Sequence, residues 1–316
     1  MEGSFISSSE QRVAVVTGAN KGIGLEICRQ LASNGVIVIL TARNEKRGAA
    51  AVDALREFGL SDVVFHQLDV RGPSSAARLA DFVRDKFGKL DILVNNAAIL
   101  GVMTVDIGGP EPAPIQEAVA SEKFASMSAA ERLEWLNQRI TETYVEGEDC
   151  LRTNYGGTKN VTEALLPLLL ASSNARVVNV SSSMGLLQLF SGEELKQEFN
   201  DIDKLSLERV DELSELFLED FKNGQLNHRG WPVEKGPSAY IVSKALINAY
   251  TRVLAKKHTA LRINCVNPGH VDTDGSFHTG ELTVAEGARG PVTLALAPRG
   301  GPTGAYFDRT EEASFV

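Results

Sequence analysis

The chain has little cysteine: three residues, Cys28, Cys150 and Cys265, far apart and without CxxC or Cys/His ligand spacing. That excludes a disulfide-framed or zinc-stapled scaffold and fits a reducing, cytoplasmic compartment. Long apolar runs are missing too. The longest, Ala164 to Ala171, is interrupted by Pro167 and falls far short of the ~20 residues of a membrane span. The polar, serine-rich start from Met1 to Gln11 has neither the apolar core of a signal peptide nor the arginine-rich pattern of a transit peptide. Positive charge is sparse: the formal net charge is -9, with no stripe of Lys and Arg interleaved with aromatics. Such a surface repels a phosphate backbone, so nucleic acid is not an expected partner. No His/Glu/Asp spacing suggests a metal, and none is expected.

What is there is the composition of a globular chain. Hydrophobic residues make up 43% and charged residues 23% of the 316 positions, enough to bury a sizeable core. Short β-branched runs alternate with helical patterns ending in glycine, the signature of repeated strand-helix units and a parallel sheet. Strands are expected at Val13-Val16, Val36-Leu40, Val63-Leu68, Ile92-Val94, Arg176-Val180 and Leu261-Val266, with Gly35, Gly59 and Gly88 closing the intervening helices. None alternates cleanly, as expected of strands covered by helices on both faces. Two excursions break the rhythm, about 100–147 and 186–237. The first carries Gly108-Gly109-Pro110 and a helix containing Leu133, Leu136 and Ile140; the second has Leu213, Leu216 and Phe217 at helical spacing. The acidic run from Glu193 to Asp220 reads as the solvated face of short helices.

The first strand runs into Thr17-Gly18-Ala19-Asn20-Lys21-Gly22-Ile23-Gly24, and Leu25, Ile27, Cys28 and Leu31 then supply a helical apolar face. Glycines in a strand-to-helix turn permit backbone angles that Cβ forbids and let a pyrophosphate approach the helix N-terminus. The end of the second strand decides between the two nicotinamide cofactors. A carboxylate there accepts the ribose hydroxyl bonds of NAD. This chain has Arg43 instead, with Lys21 in the glycine loop, and these cations suit a 2′-phosphate. NADP(H) is the expected cofactor.

Tyr240 and Lys244 lie four residues apart in a helical stretch and project from one face. A tyrosine of pKa near ~10 exchanges protons poorly at neutral pH, and an adjacent ammonium favours the phenolate. Tyr240 so tuned serves as general acid or base.

Together the motifs resemble the short-chain dehydrogenase/reductase family over nearly the whole chain. They are the glycine motif, Asn95-Asn96-Ala97, Ser181-Ser182-Ser183, Tyr240-x-x-Ser243-Lys244 and Asn267-Pro268-Gly269, with Val271 and Thr273 following. The resemblance implies an α/β fold, a Rossmann-type doubly wound parallel sheet with helices on both faces, in a single domain with two helical insertions. It implies that Ser182 hydrogen-bonds the carbonyl oxygen, that Tyr240 donates its proton, and that hydride arrives from the nicotinamide. Lys244 then binds the nicotinamide ribose as well as tuning Tyr240, and Asn154 connects the lysine to a water relay. Gly18, Asn20, Lys21, Gly22, Ile23 and Gly24 hold the phosphates, and Asp69 and Val70 match the adenine contacts. Asn95, Ala97, Pro268, Gly269, Val271 and Thr273 border the ribose and nicotinamide. Among the three serines, the middle one is chosen by its distance from the preceding strand.

Two departures from the family pattern stand out. Ala98 occupies a position where glycine is common, and Ser182 and Tyr240 are separated by far more than the usual loop. The second departure resembles the monomeric carbonyl reductase branch, above all the plant salutaridine and menthone reductase group, in which the insertion covers the tetramerising helices. A monomer is therefore expected. The expected substrate is a hydrophobic ketone or aldehyde, received by Ile99-Met103, Met184-Phe190 and the segment near Trp231. His228 and His278 read as solvated loop residues, Gly275-Pro298 as a mobile lid followed by a helix, and Ala305-Phe307 as a terminal edge strand. Two other readings remain open from sequence: a broad detoxifying carbonyl reductase and a noncatalytic NADP(H)-sensing protein.

Overall fold

Seven parallel strands are laid out by the strand-helix alternation: β1 Val13–Val16, β2 Ile37–Ala42, β3 Val63–Gln67, β4 Ile92–Asn95, β5 Arg176–Val180, β6 Arg262–Asn267 and β7 Tyr306–Asp308. The structure is a computed structural model describing residues 11–108, 112–234 and 236–316. The targeting-signal reading of the first ten residues and the expected turn at Gly109-Pro110 lie outside the described residues. The strand order is β3-β2-β1-β4-β5-β6-β7, so the chain winds outward in both directions from β1 and β4. In such a sheet ligands bind at the carboxyl ends of the strands where the order reverses.

An eighth strand, β8 (Glu311–Ala313), pairs antiparallel with β7. The stretch expected to form the edge is thus one strand in from it. Arg309 takes a left-handed conformation (φ 56) between them, and the exposed Glu311 and Glu312 give a charged edge that discourages further pairing. Their low strand propensity hid β8 from the sequence.

The main helices are α1 Gly22–Ser33, α2 Glu45–Glu57, α3 Pro73–Phe87, α4 Tyr144–Leu151, α5 Gly157–Leu170, α6 Leu207–Lys222, α7 Ser238–Lys257 and α8 Val284–Leu296. The apolar strands divide their side chains between two cores. Val13 and Val15 enter one with α3, α5 and α7, while Ala14 and Val16 enter the other with α1, α2 and α8. No helix among the described residues is long and apolar enough to cross a membrane.

The first insertion builds a core of its own from Val102, Val105, Ile115, Phe124 and Leu136. It forms a small sheet in which Thr104–Val105 lies between Ala113–Pro114 and Ile140–Thr141. Ile140, expected on a helix, is on a strand: the helix ends at Asn137, and Ile140 then pairs with Val105. The second insertion lays α6 over α7, with Leu213 and Phe217 buried in the main core. That is why α7 is buried nearly all round. Trp231, expected near the substrate, is fully buried against Phe190, Phe199 and Phe217. Its Nε1 donates to Asp220 (2.8 Å), which also binds Arg229. Asp220 and Asp211 therefore depart from the reading of a solvated acidic face. Asp220 is buried, and Asp211 accepts from the Tyr155 hydroxyl (2.6 Å) and from Lys159, fastening α6 to the α4-α5 helix.

Candidate active site

The glycine loop is held from below by the motif that follows β4. Thr17 Oγ1 accepts from the backbone N–H groups of Asn96 (2.9 Å) and Ala97 (3.0 Å), and Asn96 Nδ2 donates back to the Thr17 and Gly18 carbonyls. This closeness is what requires glycine. A Cβ on Gly18 would lie 2.8 Å from Ala97 Cα, and one on Gly24 would lie 2.5 Å from Asn96 Nδ2. Gly18 and Gly22 also take positive φ values of 62 and 58, which side-chain-bearing residues adopt at a cost. The result is an open backbone cradle at the N-terminus of α1, with Asn20 and Ile23 in it half-buried. It fits a dinucleotide pyrophosphate. Arg43 immediately follows β2, exposed, and forms no ion pair with a described residue. Lys21 is not free in the same way, since its Nζ pairs with Asp274 at 2.6 Å. The two residues are 253 positions apart in the chain, so no local pattern pointed to the contact.

Several of the side chains expected at the cofactor make contacts within the protein. Asn95 is buried and gives its Nδ2 to Thr162 Oγ1 (2.9 Å) and Asn179 Oδ1 (2.8 Å), so its side chain ties β4 to α5 and β5. Asn96, its neighbour, shapes the loop. Val70 is buried against Gly157, and Val271 against Gly287. Both side chains are packing residues, while Asp69 remains half-exposed beside Arg71. Gly269 (φ 84) turns the chain after Pro268, and Thr273 comes to rest beside Gly22, its methyl 3.5 Å from the place of a Cβ there. The segment expected as a lid is folded on itself: Val271 bridges Leu282, and His270 Nε2 meets Thr279 Oγ1 at 3.0 Å. His278 is exposed, as expected of a solvated loop residue, and its Nδ1 lies 2.6 Å from Asp272 and its Nε2 3.3 Å from Asp274.

At the carboxyl end of β5 the three serines separate by role. Ser181 is buried and donates to Asn248 Oδ1 (2.6 Å), and Ser183 is exposed. Ser182 is half-buried, its Oγ accepts from Met184 N at 3.1 Å, and its hydroxyl is near enough to the Tyr240 phenol to favour the phenolate. Tyr240 and Lys244 lie one helical turn apart on α7, with Lys244 Nζ 5.5 Å from the Tyr240 ring centre. The ammonium donates to the Val180 carbonyl at 2.9 Å. In the protein alone the tyrosine is raised rather than lowered, and burial is the largest cause. Burial pushes the Tyr240 phenol up to about 12, with Ser182 pulling against it, and brings Lys244 down to about 8. The site thus disfavours charge on both groups, which is the condition for a phenol to hold its proton until one is needed.

Asn154 lies in a π-helical stretch, Arg152–Gly156, between α4 and α5, a local irregularity common at functional sites. Its side chain is fully occupied. Oδ1 accepts from Ile99 N (2.8 Å), and Nδ2 donates to Ile99 O (2.9 Å) and Ser243 Oγ (3.0 Å). Ser243 Oγ in turn donates to the Tyr240 carbonyl at 2.8 Å. Asn154 therefore ties the start of the first insertion to α7, with Cys150 Sγ beside it (3.3 Å). Of the expected substrate segments, Met103 is exposed and Met184 half-buried, whereas Leu187 and Phe190 are core.

Comparison with known proteins bears on this arrangement. A family model for short chain dehydrogenases matches residues 12–131. The chain is 48% identical over 308 residues to (+)-neomenthol dehydrogenase of Arabidopsis thaliana, covering 96% of this chain and 98% of that protein. It is 39% identical to carbonyl reductase [NADPH] 3 of Rattus norvegicus, over 92% of this chain and 93% of that one. The solved structure of salutaridine reductase from Papaver somniferum superposes with a TM-score of 0.83 at 44% identity, covering 94% of this chain and 99% of that one. With the glycine cradle, the doubly wound sheet and the Ser182, Tyr240 and Lys244 cluster at its carboxyl edge, this chain belongs to the short-chain dehydrogenase/reductase family of oxidoreductases.

Proposed function

We propose that the chain reduces a hydrophobic ketone or aldehyde to its alcohol with NADPH, reversibly, and that the carbonyl belongs to a terpenoid or alkaloid. The observation that carries this reading is the meeting of Ser182, Tyr240 and Lys244 at one end of the sheet, beside the glycine cradle. NADPH when bound supplies the hydride. Arg43 and Lys21 would hold its 2′-phosphate, and the backbone of the glycine loop its pyrophosphate. Ser182 donates a hydrogen bond to the substrate carbonyl and fixes its orientation. Tyr240 gives its proton to the same oxygen, and because burial keeps the phenol protonated, the acid is ready in the reduction direction. Lys244 stays cationic at neutral pH, one turn away, and favours the phenolate left behind. Asn154 serves the proton relay through its backbone, since its side chain is committed.

The names of the relatives, a neomenthol dehydrogenase, a salutaridine reductase and an NADPH carbonyl reductase, support both the cofactor and the substrate class. The cover that α6 gives α7 supports a monomer; a stable tetramer in light scattering at micromolar concentration would refute it. The activity is tested by NADPH oxidation with terpenoid, alkaloid, steroid and quinone carbonyls, with Tyr240→Phe as control. Turnover is expected with at least one terpenoid or alkaloid ketone and is lost in the variant while NADPH still binds. Tight NADPH binding with no turnover of any carbonyl would overturn the proposal in favour of a sensor.

A further inference from the structure

The helix that carries Tyr240 begins without a cap of its own. Its N-cap residue is Pro237, which has no side chain to accept a hydrogen bond, and its first two N–H groups are enclosed, Ala239 fully and Ser238 nearly so. Water does not reach them, so a partner is required. Both are taken by one residue of the first insertion. Glu142 Oε2 accepts from Ser238 N and Glu142 Oε1 from Ala239 N, each at 2.9 Å. We propose that Glu142 is a positioning residue for the reaction, capping α7 from outside so that Tyr240 and the inserted segment are held in register with Ser182. This rests on the reading of Tyr240 as the proton donor.

The surroundings make this more than an ordinary cap. Glu142 follows the edge strand Ile140–Thr141 and precedes Thr143, which caps α4 through a reciprocal pair with Glu146. Glu146 Oε1 also accepts from Met103 N at 2.7 Å. Two neighbouring carboxylates thus fasten the outgoing limb of the insertion at Met103 and the returning limb at Thr143 to the start of the catalytic helix. Asn154 makes the matching tie on the other side, from Ile99 through Ser243 to the Tyr240 carbonyl. Tyr240 sits between these two ties. Burial pushes the Glu142 carboxyl up to about 7 against the pull of its two N–H bonds, with Glu146 adding to the rise. The carboxyl is therefore enclosed, where its bonds are stronger than on a solvated surface, and the partial positive charge of the helix terminus favours it there.

The test uses Glu142→Ala and Glu142→Gln in the full chain, the glutamine keeping the shape and one acceptor. Small errors in the placement of a catalytic group are costly, so kcat is expected to fall about 10- to 100-fold in the alanine variant and less in the glutamine variant. NADPH affinity, read by fluorescence titration, stays unchanged, because none of the cofactor residues above is involved. Hydrogen exchange at 238–240 quickens in both variants while 246–254 keeps its protection. Wild-type kcat in a folded alanine variant, or a fall in kcat that only follows the loss of folded protein, overturns the inference. If the alanine variant does not fold, the glutamine variant decides between the same outcomes. If the unmodified protein turns over no carbonyl, the functional reading fails by itself and hydrogen exchange decides: unchanged protection at 238–240 removes the cap.

Discussion

Replacing Lys244 by methionine should make the protein more stable at neutral pH while abolishing its activity. The side chain is 2% exposed, and burial brings its ammonium from 10.5 down to about 8. At about 1.4 kcal/mol for each tenfold change in proton affinity, carrying that charge at pH 7 costs the folded state about 3 kcal/mol. The site is dry, so solvent screening does not reduce this. Against it stands the hydrogen bond to the Val180 carbonyl, whose loss from a buried acceptor costs about 1 to 2 kcal/mol. Methionine fills the volume flexibly and carries no charge. The net gain is about 1 to 2 kcal/mol, or a rise in Tm of about 3 °C for a domain of this size.

The sign with pH provides the sharper check. Between about 8 and 10.5 the unfolded lysine keeps its proton while the folded one has lost it, so the stability contributed by this residue rises with pH across that window. The wild-type protein should therefore recover about 2 kcal/mol relative to Lys244→Met between pH 7 and pH 9.5, enough to close or reverse the gap. Thermal unfolding of the two proteins without cofactor, compared at both pH values, measures this directly, because every other titrating group is shared. A methionine variant less stable than wild type at pH 7, by a margin that does not change at pH 9.5, would refute the claim that the site is built at a cost to the fold.

Three further outcomes follow from the geometry. Arg43→Asp should reverse the preference for NADPH over NADH, shifting the ratio of their kcat/KM values by about 100-fold or more through loss of a charge-assisted pair and gain of a repulsive one; an unchanged ratio removes Arg43 from the cofactor site. Asp274→Asn releases Lys21 from its ion pair and should tighten NADPH binding several-fold at low salt, an effect that fades as salt is added; equal Kd values at low salt would mean that Lys21 does not serve the cofactor. Trp231→Phe leaves the Asp220 carboxylate short of one buried donor and should cost about 1 to 3 kcal/mol in denaturant unfolding. Because Trp231 is core, its replacement should leave substrate KM alone, and a changed KM with unchanged stability would return it to the pocket.

The strands, the closing glycines and the order of the motifs could be read from the sequence because each depends on neighbours within a few residues. Apolar runs of four to six residues needed no partner to be recognised, and the positive φ at Gly35, Gly59 and Gly88 is a local matter. The candidate site was legible for a related reason: Tyr240 and Lys244 are brought onto one helix face by spacing alone. The strand Glu311–Ala313 was not legible, since charged residues form it only because β7 offers an unpaired edge.

Sequence by itself therefore determined the sheet, the glycine cradle and the placing of Tyr240 and Lys244 on one helix face. The tertiary structure decided which groups are free to act. It committed Asn95 and the Asn154 amide to holding elements together, paired Lys21 with Asp274, and put Trp231 in the core. It also brought Glu142 to the start of the catalytic helix. Each of these depends on burial or on contacts between residues tens to hundreds of positions apart. Desolvation is a property of the assembled site as well, and here it is the largest influence on the protonation of Tyr240 and Lys244.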